Sequence, residues 1–597
     1  KLCAQVERHS RRALLWMRPS TVCLRARRCF VFVTIVDAVH YQQAKADCQL
    51  NFDCGLTKID THATIDHHRH HSNGNDDRQN ALAALFLALQ MPTPQASFRT
   101  LKNSLKDFTD DVQIAMPRSR RMHFRAGIVS ASGDDDKAQK FQAWLESNKM
   151  STNVVKLEKL KGYGLGLISE GVAAGEQLLA VPSSLHISPS SVKTSPVGLA
   201  VAPTVSADDD SAFLALGLLQ EVAKGEDSEL APYIALLPGA DEMAGLPLLW
   251  PDEDLAKYFA GSHLQEFVTQ QRNALLQQWQ SIESEVLPKH PESLFPRDVF
   301  NAPGYLWAHA ICLTRALPFG DDLSLIPYLD IVNHVDGSSN QCSIGVFAES
   351  SSTSDAKAAK PLVIATTAAE LEGKESHAVL TAGTDIPKGT QVFIDYDGNL
   401  GRSSWEMLHT YGFVSGTTKS EWLTRGGRPM FFNGIARSDP LFMQKCAVLT
   451  ALGFEENAWE GTWIDLKTDE KQCVAMAPLL RLAHLTPNRT SLPTDLAELG
   501  SKLASFSAPP LDVWNALQKP LDLETENLVA KQILLQCEQA ITSMPPEDKL
   551  LASATVHMAS EDSTDQYRAK VAAQVLLGER KALEICIAEW KAHLTAA

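Results

Sequence analysis

The chain has 597 residues, 44% hydrophobic and 21% charged, enough for a large core and two or three domains. Its net charge of −16 excludes a molecule that binds nucleic acid through overall charge. No apolar run reaches the roughly 18 residues of a transmembrane helix, so neither nucleic acid nor a membrane is an expected partner.

Five of the eleven cysteines lie in the first 54 residues, and the other six, Cys312, Cys342, Cys446, Cys473, Cys537 and Cys586, are isolated. There is no C-x-x-C pair and no zinc-ligand spacing. No metal site is expected, and the main body reads as a reduced protein.

Residues 1–135 differ from the rest. They carry basic clusters (Arg11 and Arg12; Arg25, Arg27 and Arg28; Arg118, Arg120 and Arg121) and the run HHRHH, His67 to His71. Without a helical or strand frame those histidines read as a solvated tract. Ala81–Phe98 has an apolar stretch of signal-peptide length followed by small residues, which resembles a bipartite plastid-targeting leader. The region is therefore a leader or a disordered N-terminus, and plastid and cytoplasm both stay open as locations.

An amphipathic helix is predicted from about Ala138. Gly162–Pro182 reads as strand, glycine-containing turn, strand. Ala212 to about Phe319 is helical, with Gly225 as a helix stop. Strands return at SIGVFA, PLVIATT, HAVLTAG and TQVFIDY, with ESSSTSDAKAAK as a hairpin tip between two of them. After Gly434 the pattern is almost all helix. Asp439 is a predicted N-cap with Pro440 at the first helical position. Later helices span about Asn527–Ile541 and Gln566–Leu594, the second with a predicted break near Gly578. The fold class is α+β. A β-rich domain over 138–416, split by a helical insert at about 210–320, precedes an all-α domain over 434–597.

Three stretches carry polar residues that folding alone does not require. KGYGLGL has alternating glycines that let backbone approach a ligand, but it lacks a dinucleotide or phosphate-loop spacing. LDIVNH places Asp330, Asn333 and His334 beside an apolar run; they could hold a small zwitterion or satisfy buried backbone. QVFIDYDGNLGRSSWEMLHTYGFV puts Val392, Ile394 and Tyr396 on one strand face, with the Tyr396 hydroxyl at the strand end. No G-x-S-x-G, H-E-x-x-H or kinase set competes.

In this order the three stretches resemble a SET-domain methyltransferase. GYGLGLISEGVAAGEQLLAVP resembles the first SET motif, IPYLDIVNH the NH motif, and GTQVFIDYDG with HTYGFV the terminal motif. The likeness is to the branch containing the Rubisco large-subunit lysine methyltransferase and the actin-histidine methyltransferase. APYIALLPGADEMAGLPLLWPDEDL resembles that branch's insert and YLWAHAICLTRAL its insert-terminal helix. DPLFMQKCAVLTALG and LLRLAHLT resemble its Rubisco-methyltransferase-type substrate-binding domain. The resemblance runs from about Phe141 to the C-terminus.

It implies a pseudoknot-like SET domain and S-adenosylmethionine as cofactor, with no metal. By resemblance Tyr396 is the catalytic tyrosine. Asn333, His334 and Asp330 border the cofactor, Arg315 pairs with its carboxylate, and Lys161, Gly162, Tyr163 and Tyr411 complete its surroundings. Lys161 stands where the family often has Glu, and DGNLGRSSWEML is about two residues longer than the family's capping run. The histidine enzyme has Asn two residues after the cofactor arginine, whereas lysine enzymes have an apolar residue. Leu317 stands there, and Leu317 and Phe413 are assigned to the acceptor pocket. A leucine would leave a buried imidazole nitrogen unpaired, a loss of about 1–3 kcal/mol. The implied activity is protein-lysine N-methyl transfer to a non-histone protein, docked by the helical C-terminal domain of a monomer. Alternatives are a protein-histidine methyltransferase and an inactive SET-type binding module.

Overall fold

The computed structural model of the chain describes residues 134–150, 154–160, 163–320, 322–336, 341–349, 362–364, 375–396, 401–416, 418–454, 457–468, 474, 477–485, 502–503, 505, 509–556 and 564–596. The leader-like stretch, the histidine tract, Lys161, Gly162 and the hairpin tip after Glu349 lie outside the described residues.

Helix α1, Asp134–Ser147, begins four residues before the position expected from the sequence. Strands β1, Val155–Leu160, and β2, Gly164–Ser169, form an antiparallel hairpin, and β3 follows at Gln177–Pro182. Helix α2, Asp210–Lys224, starts where the Asp209 side chain accepts from the Ala212 amide and stops at Gly225, whose φ of 60° suits glycine. Helix α3 spans His263–Glu285 and α4 spans Ala302–Arg315. Asn301 caps α4 by accepting from the Gly304 amide, 2.9 Å away. Both α2 and α4 are apolar on most of their circumference, which suits their burial side by side in the main core.

Short strands β4, Leu317–Phe319, and β5, Asp322–Ser324, pair antiparallel. The chain then reaches β6, Asn333–His334; β7, Cys342–Glu349; β8, Leu362–Ile364; β9, Ser376–Ala382; and β10, Phe393–Ile394. One antiparallel sheet has the order β3-β9-β7-β8. The segment before β10 runs along β2: Val172 bridges Ile386, Ile168 bridges Gln391, and the Val392 amide donates to the Leu167 carbonyl at 2.8 Å. It then pairs parallel with β6, Phe393 opposite Asn333 and Ile394 opposite His334. Two segments 60 residues apart in sequence thus meet at one seam.

Helices α5, Ser404–Tyr411, and α6, Lys419–Thr424, lead to β11, Gly427–Asn433. Next come α7, Phe442–Ala451; β12, Gly461–Lys467; α8, Pro478–His484; α9, Leu523–Ser543; and α10, Thr564–Ala596. A second core joins α9, α10, β11 and β12 through Phe432, Ile464, Val529, Ile533, Leu576 and Trp590.

Three local expectations are corrected here. The helix expected from Pro440 begins at Phe442, because Asp439 caps a turn instead: its carboxylate accepts from the Leu441 amide and the buried Lys445 ammonium, both at 2.7 Å. Among the described residues the region after Gly434 is not all helix: β12 pairs over seven residues with β11. Helix α10 runs unbroken through Gly578, whose missing side chain admits Gly426; a Cβ built there would lie 2.9 Å from the Gly426 Cα.

Buried histidines give the fold an acid limit. Burial pushes His186 down to about 4, His309 to about 3 and His409 to about 4. An unfolded imidazole titrates near about 6.5, so between that pH and about 4 the unfolded chain binds more protons than the folded one. Stability is therefore complete above about pH 7 and falls as pH drops, by on the order of 1 kcal/mol per pH unit for each histidine. Thermal melts at about pH 7.5 and about pH 5 should show a clear drop in midpoint, and His309→Leu should reduce that drop. A midpoint unchanged over that range contradicts this reading.

Candidate active site

The seam of β6 and β10 gathers the polar residues that stood out in the sequence. The Asn333 side chain donates from Nδ2 to the Leu165 carbonyl at 3.0 Å, tying β6 to β2. That approach requires glycine at 166, where a Cβ would lie 2.7 Å from Asn333 Nδ2 and 2.6 Å from Leu160 Cδ1. His334 Nδ1 accepts from the Tyr396 amide at 3.0 Å, so its proton sits on Nε2, which donates to Asp336 Oδ1 at 3.0 Å. Both ring nitrogens are thus spent within the protein.

Tyr396 lies two residues beyond the two-residue strand β10. Its hydroxyl donates to the Val332 carbonyl at 2.8 Å. Its own carbonyl accepts from the Tyr411 hydroxyl at 3.3 Å and from Arg402 Nη1 at 3.4 Å, while Arg402 Nη1 also donates to the Tyr411 hydroxyl at 2.7 Å. The Tyr396 and Tyr411 rings are 4.8 Å apart, and the His334 ring is 5.2 Å from Tyr396 and 5.6 Å from Phe413. Burial pushes the Tyr396 phenol above its ordinary range, an effect Arg315 only partly opposes, so the hydroxyl stays neutral at physiological pH.

Arg315 closes helix α4, where a cation suits the helix C-terminus. Its Nη1 donates to the Asp330 carbonyl at 3.2 Å and to Asp330 Oδ2 at 3.4 Å. Asp330 Oδ2 also accepts from the Tyr233 hydroxyl at 2.8 Å, and Oδ1 is a buried oxygen without a hydrogen-bond partner among the described residues. Burial raises the Asp330 carboxyl, and Arg315 and Tyr233 pull against that rise. Burial disfavours charge on Arg315, but the carboxylate beside it holds the guanidinium above its ordinary value. Before this turn, buried Tyr328 has a φ of 71°, strained backbone for a bulky residue, and its ring packs edge-on against Phe141.

The remaining expected residues sit around this group. Tyr163 is exposed, with its ring 5.7 Å from Phe393. Leu317 is partly buried against the main core and pairs with Ser324 across β4 and β5. Tyr233, Arg402, Asp336 and Arg425 carry contacts that the sequence did not single out. Tyr233 is 97 residues from its partner Asp330, so no local pattern signals it.

These residues suit the amino-acid end of S-adenosylmethionine. Arg315 engages the protein only through Nη1 among the described residues, leaving Nε and Nη2 to meet a carboxylate as a fork. The unpartnered Asp330 Oδ1 can face an ammonium. With its ring fully engaged, His334 can contribute only backbone groups.

No family model matches the sequence. Human N-lysine methyltransferase SETD6 is 26% identical over 287 residues, 46% of this chain and 52% of the relative. The bovine SETD6 is 25% identical over 302 residues, 48% of this chain and 59% of the relative. The chain therefore spans little more than half the length of these relatives. Among solved structures, the SET domain of LSMT bound to lysine and AdoHcy superposes with a TM-score of 0.61 at 21% identity, over 77% of this chain and 92% of that one. Rubisco LSMT bound to AdoMet gives a TM-score of 0.59 at 21% identity over the same shares. The resemblance drawn from three short motifs is thus borne out at the level of fold: the chain has the fold of the Rubisco LSMT structures, and its sequence is similar to the SETD6 N-lysine methyltransferases.

Proposed function

We propose that the chain is an S-adenosylmethionine-dependent protein-lysine N-methyltransferase acting on a non-histone protein. The observation that carries this reading is Tyr396, neutral and partly buried, held at its amide, carbonyl and hydroxyl beside the seam where β6 and β10 meet. Bound S-adenosylmethionine supplies an electrophilic methyl group on a sulfonium. Arg315 receives its carboxylate, Asp330 its ammonium, and the backbone of Asn333 and His334 borders the rest.

The acceptor amine must arrive neutral, although a free lysine titrates near about 10.4. The rings of His334, Tyr396, Tyr411 and Phe413 form a weakly polar wall that disfavours the protonated amine. The Tyr396 oxygen accepts one amine N–H and so fixes the direction of the nitrogen lone pair. This is catalysis by alignment, which needs no ionised base. The helical region after Gly434 docks the protein acceptor.

Leu317 supports lysine over histidine, because it offers an imidazole nitrogen no hydrogen bond. Labelled products are to be hydrolysed and their methylated residues separated. Wild type should yield methyl-lysine, and Leu317→Asn should lower that yield about tenfold by placing an unpaired amide in the pocket. Methyl-histidine from the wild-type chain, or a methyl-lysine yield raised by Leu317→Asn, contradicts the assignment.

A further inference from the structure

The catalytic tyrosine is tied to the C-terminal region by a chain of contacts that the three sequence motifs do not contain. Tyr396 donates its amide to His334 Nδ1, and His334 Nε2 donates to Asp336 Oδ1, both at 3.0 Å. Arg425 Nη1 lies 3.0 Å from the same Asp336 oxygen. Its geometry is too poor for a hydrogen bond, so this contact is one of charge.

Arg425 is fixed at its backbone. It ends α6, where its amide donates to the Glu421 carbonyl at 3.2 Å, and its own carbonyl accepts from the Ser404 amide at the start of α5 at 2.8 Å. The next residue, Gly426, meets Gly578 of α10 so closely that a Cβ at 426 would lie 2.4 Å from the Gly578 carbonyl oxygen. The contacts therefore run from α10 through Gly426 and Arg425 to Asp336, His334 and Tyr396.

We infer that Arg425 and Asp336 are positioning residues for methyl transfer, holding His334 in the orientation that fixes Tyr396 and coupling that tyrosine to the packing of the C-terminal helix. The inference rests on the methyltransferase reading. The physical reason is the demand His334 must meet. Only the Nε2-protonated ring can accept from the Tyr396 amide, and a carboxylate on Nε2 selects that form and its ring plane. The Arg425 cation, 3.0 Å from the Asp336 oxygen, in turn holds that carboxylate pointed at the ring. Asp336 is partly exposed, so without Arg425 its carboxylate is free to turn to water.

The test uses the full chain, tritiated S-adenosylmethionine and one fixed fraction of cell extract as acceptor. Initial rates are read against acceptor concentration, and cofactor affinity is measured by calorimetry. Arg425→Met and Asp336→Leu are each expected to lower the maximal rate roughly tenfold, with the apparent KM for acceptor and the cofactor Kd within about twofold. Arg425→Met should add nothing in the Asp336→Leu background, because both act through one contact. Arg425→Lys should restore most of the rate and Asp336→Asn part of it, since the amide oxygen still accepts from Nε2. These two conservative variants keep the test valid if a harsher one unfolds. Unchanged rates in the single variants, additive losses in the pair, or a loss seen only in KM or cofactor Kd overturn the inference while leaving the methyltransferase reading intact. No Tyr396-dependent transfer by the unaltered chain overturns both.

Discussion

Tyr396→Phe is expected to lower methyl transfer about 100-fold while leaving cofactor affinity within about threefold. The substitution removes one oxygen and keeps the ring. The ring contacts with Tyr411 and His334, 4.8 and 5.2 Å between centroids, should persist, as should the backbone bonds to His334 and Tyr411. What goes is the hydroxyl oxygen that accepts a hydrogen bond from the amine N–H, so the acceptor nitrogen loses its direction. The Val332 carbonyl also loses its donor at 2.8 Å, which costs about 1–3 kcal/mol of stability if water does not replace it. The two losses separate cleanly in experiment. Rates on labelled cofactor report the first, and a melting curve reports the second. A phenylalanine variant that turns over like wild type means that Tyr396 does not act on the amine.

Arg481→Met should be the most damaging single change to stability, at about 3–5 kcal/mol. Arg481 is fully buried, and Glu526 is 1% exposed. Arg481 Nε lies 2.8 Å from Glu526 Oε1 and Nη2 lies 3.1 Å from Oε2, a forked pair. The guanidinium also donates to the carbonyls of Leu517 and Val474, at 3.0 and 3.1 Å. His593 Nε2 reaches Glu526 at 2.8 Å, joining the end of α10 to the start of α9. Burial pushes the Glu526 carboxyl up, but Arg481 and His593 outweigh it and hold it below its ordinary value. Removing the arginine takes away both forked bonds and leaves that buried carboxylate, among the described residues, to His593 and the Leu521 amide alone. Replacing both partners, Arg481→Met with Glu526→Leu, should recover much of the loss, because no buried charge is then left unpaired. Urea unfolding of the single and double variants measures the difference. A single-variant loss under about 1 kcal/mol contradicts the account.

The parts of the site that were legible in sequence are those whose chemistry is local. Asp330, Asn333 and His334 fall within five positions, and Tyr396 ends a recognisable strand pattern. Their order, not any one of them, carried the resemblance. Several of the contacts that hold them are not local. Asn333 meets Leu165 across 168 positions, and Tyr233 meets Asp330 across 97. Hydrophobic periodicity cannot report such pairs, because each residue looks ordinary in its own segment.

Gly578 shows the same limit in the fold. A glycine in a helix costs about 1 kcal/mol relative to alanine, so a break was the natural reading. The compensation is its contact with Gly426, more than 150 positions away in the chain. Proline is disfavoured inside a strand, yet Pro429 stands in β11, in the two-stranded ribbon with β12, opposite Asp465. Asp439 and Pro440 gave a true capping signal, but for a turn that buried Lys445 completes.

The most direct test of the central claim is transfer of a labelled methyl group by the full chain. Wild type and Tyr396→Phe are incubated with fractionated cell extract and tritiated S-adenosylmethionine, and each labelled band is mapped by mass spectrometry. The account predicts a band that the phenylalanine variant fails to label, with the methyl group on a lysine side chain. Measurable cofactor binding with no Tyr396-dependent band in any fraction would contradict it and leave a SET-type binding protein.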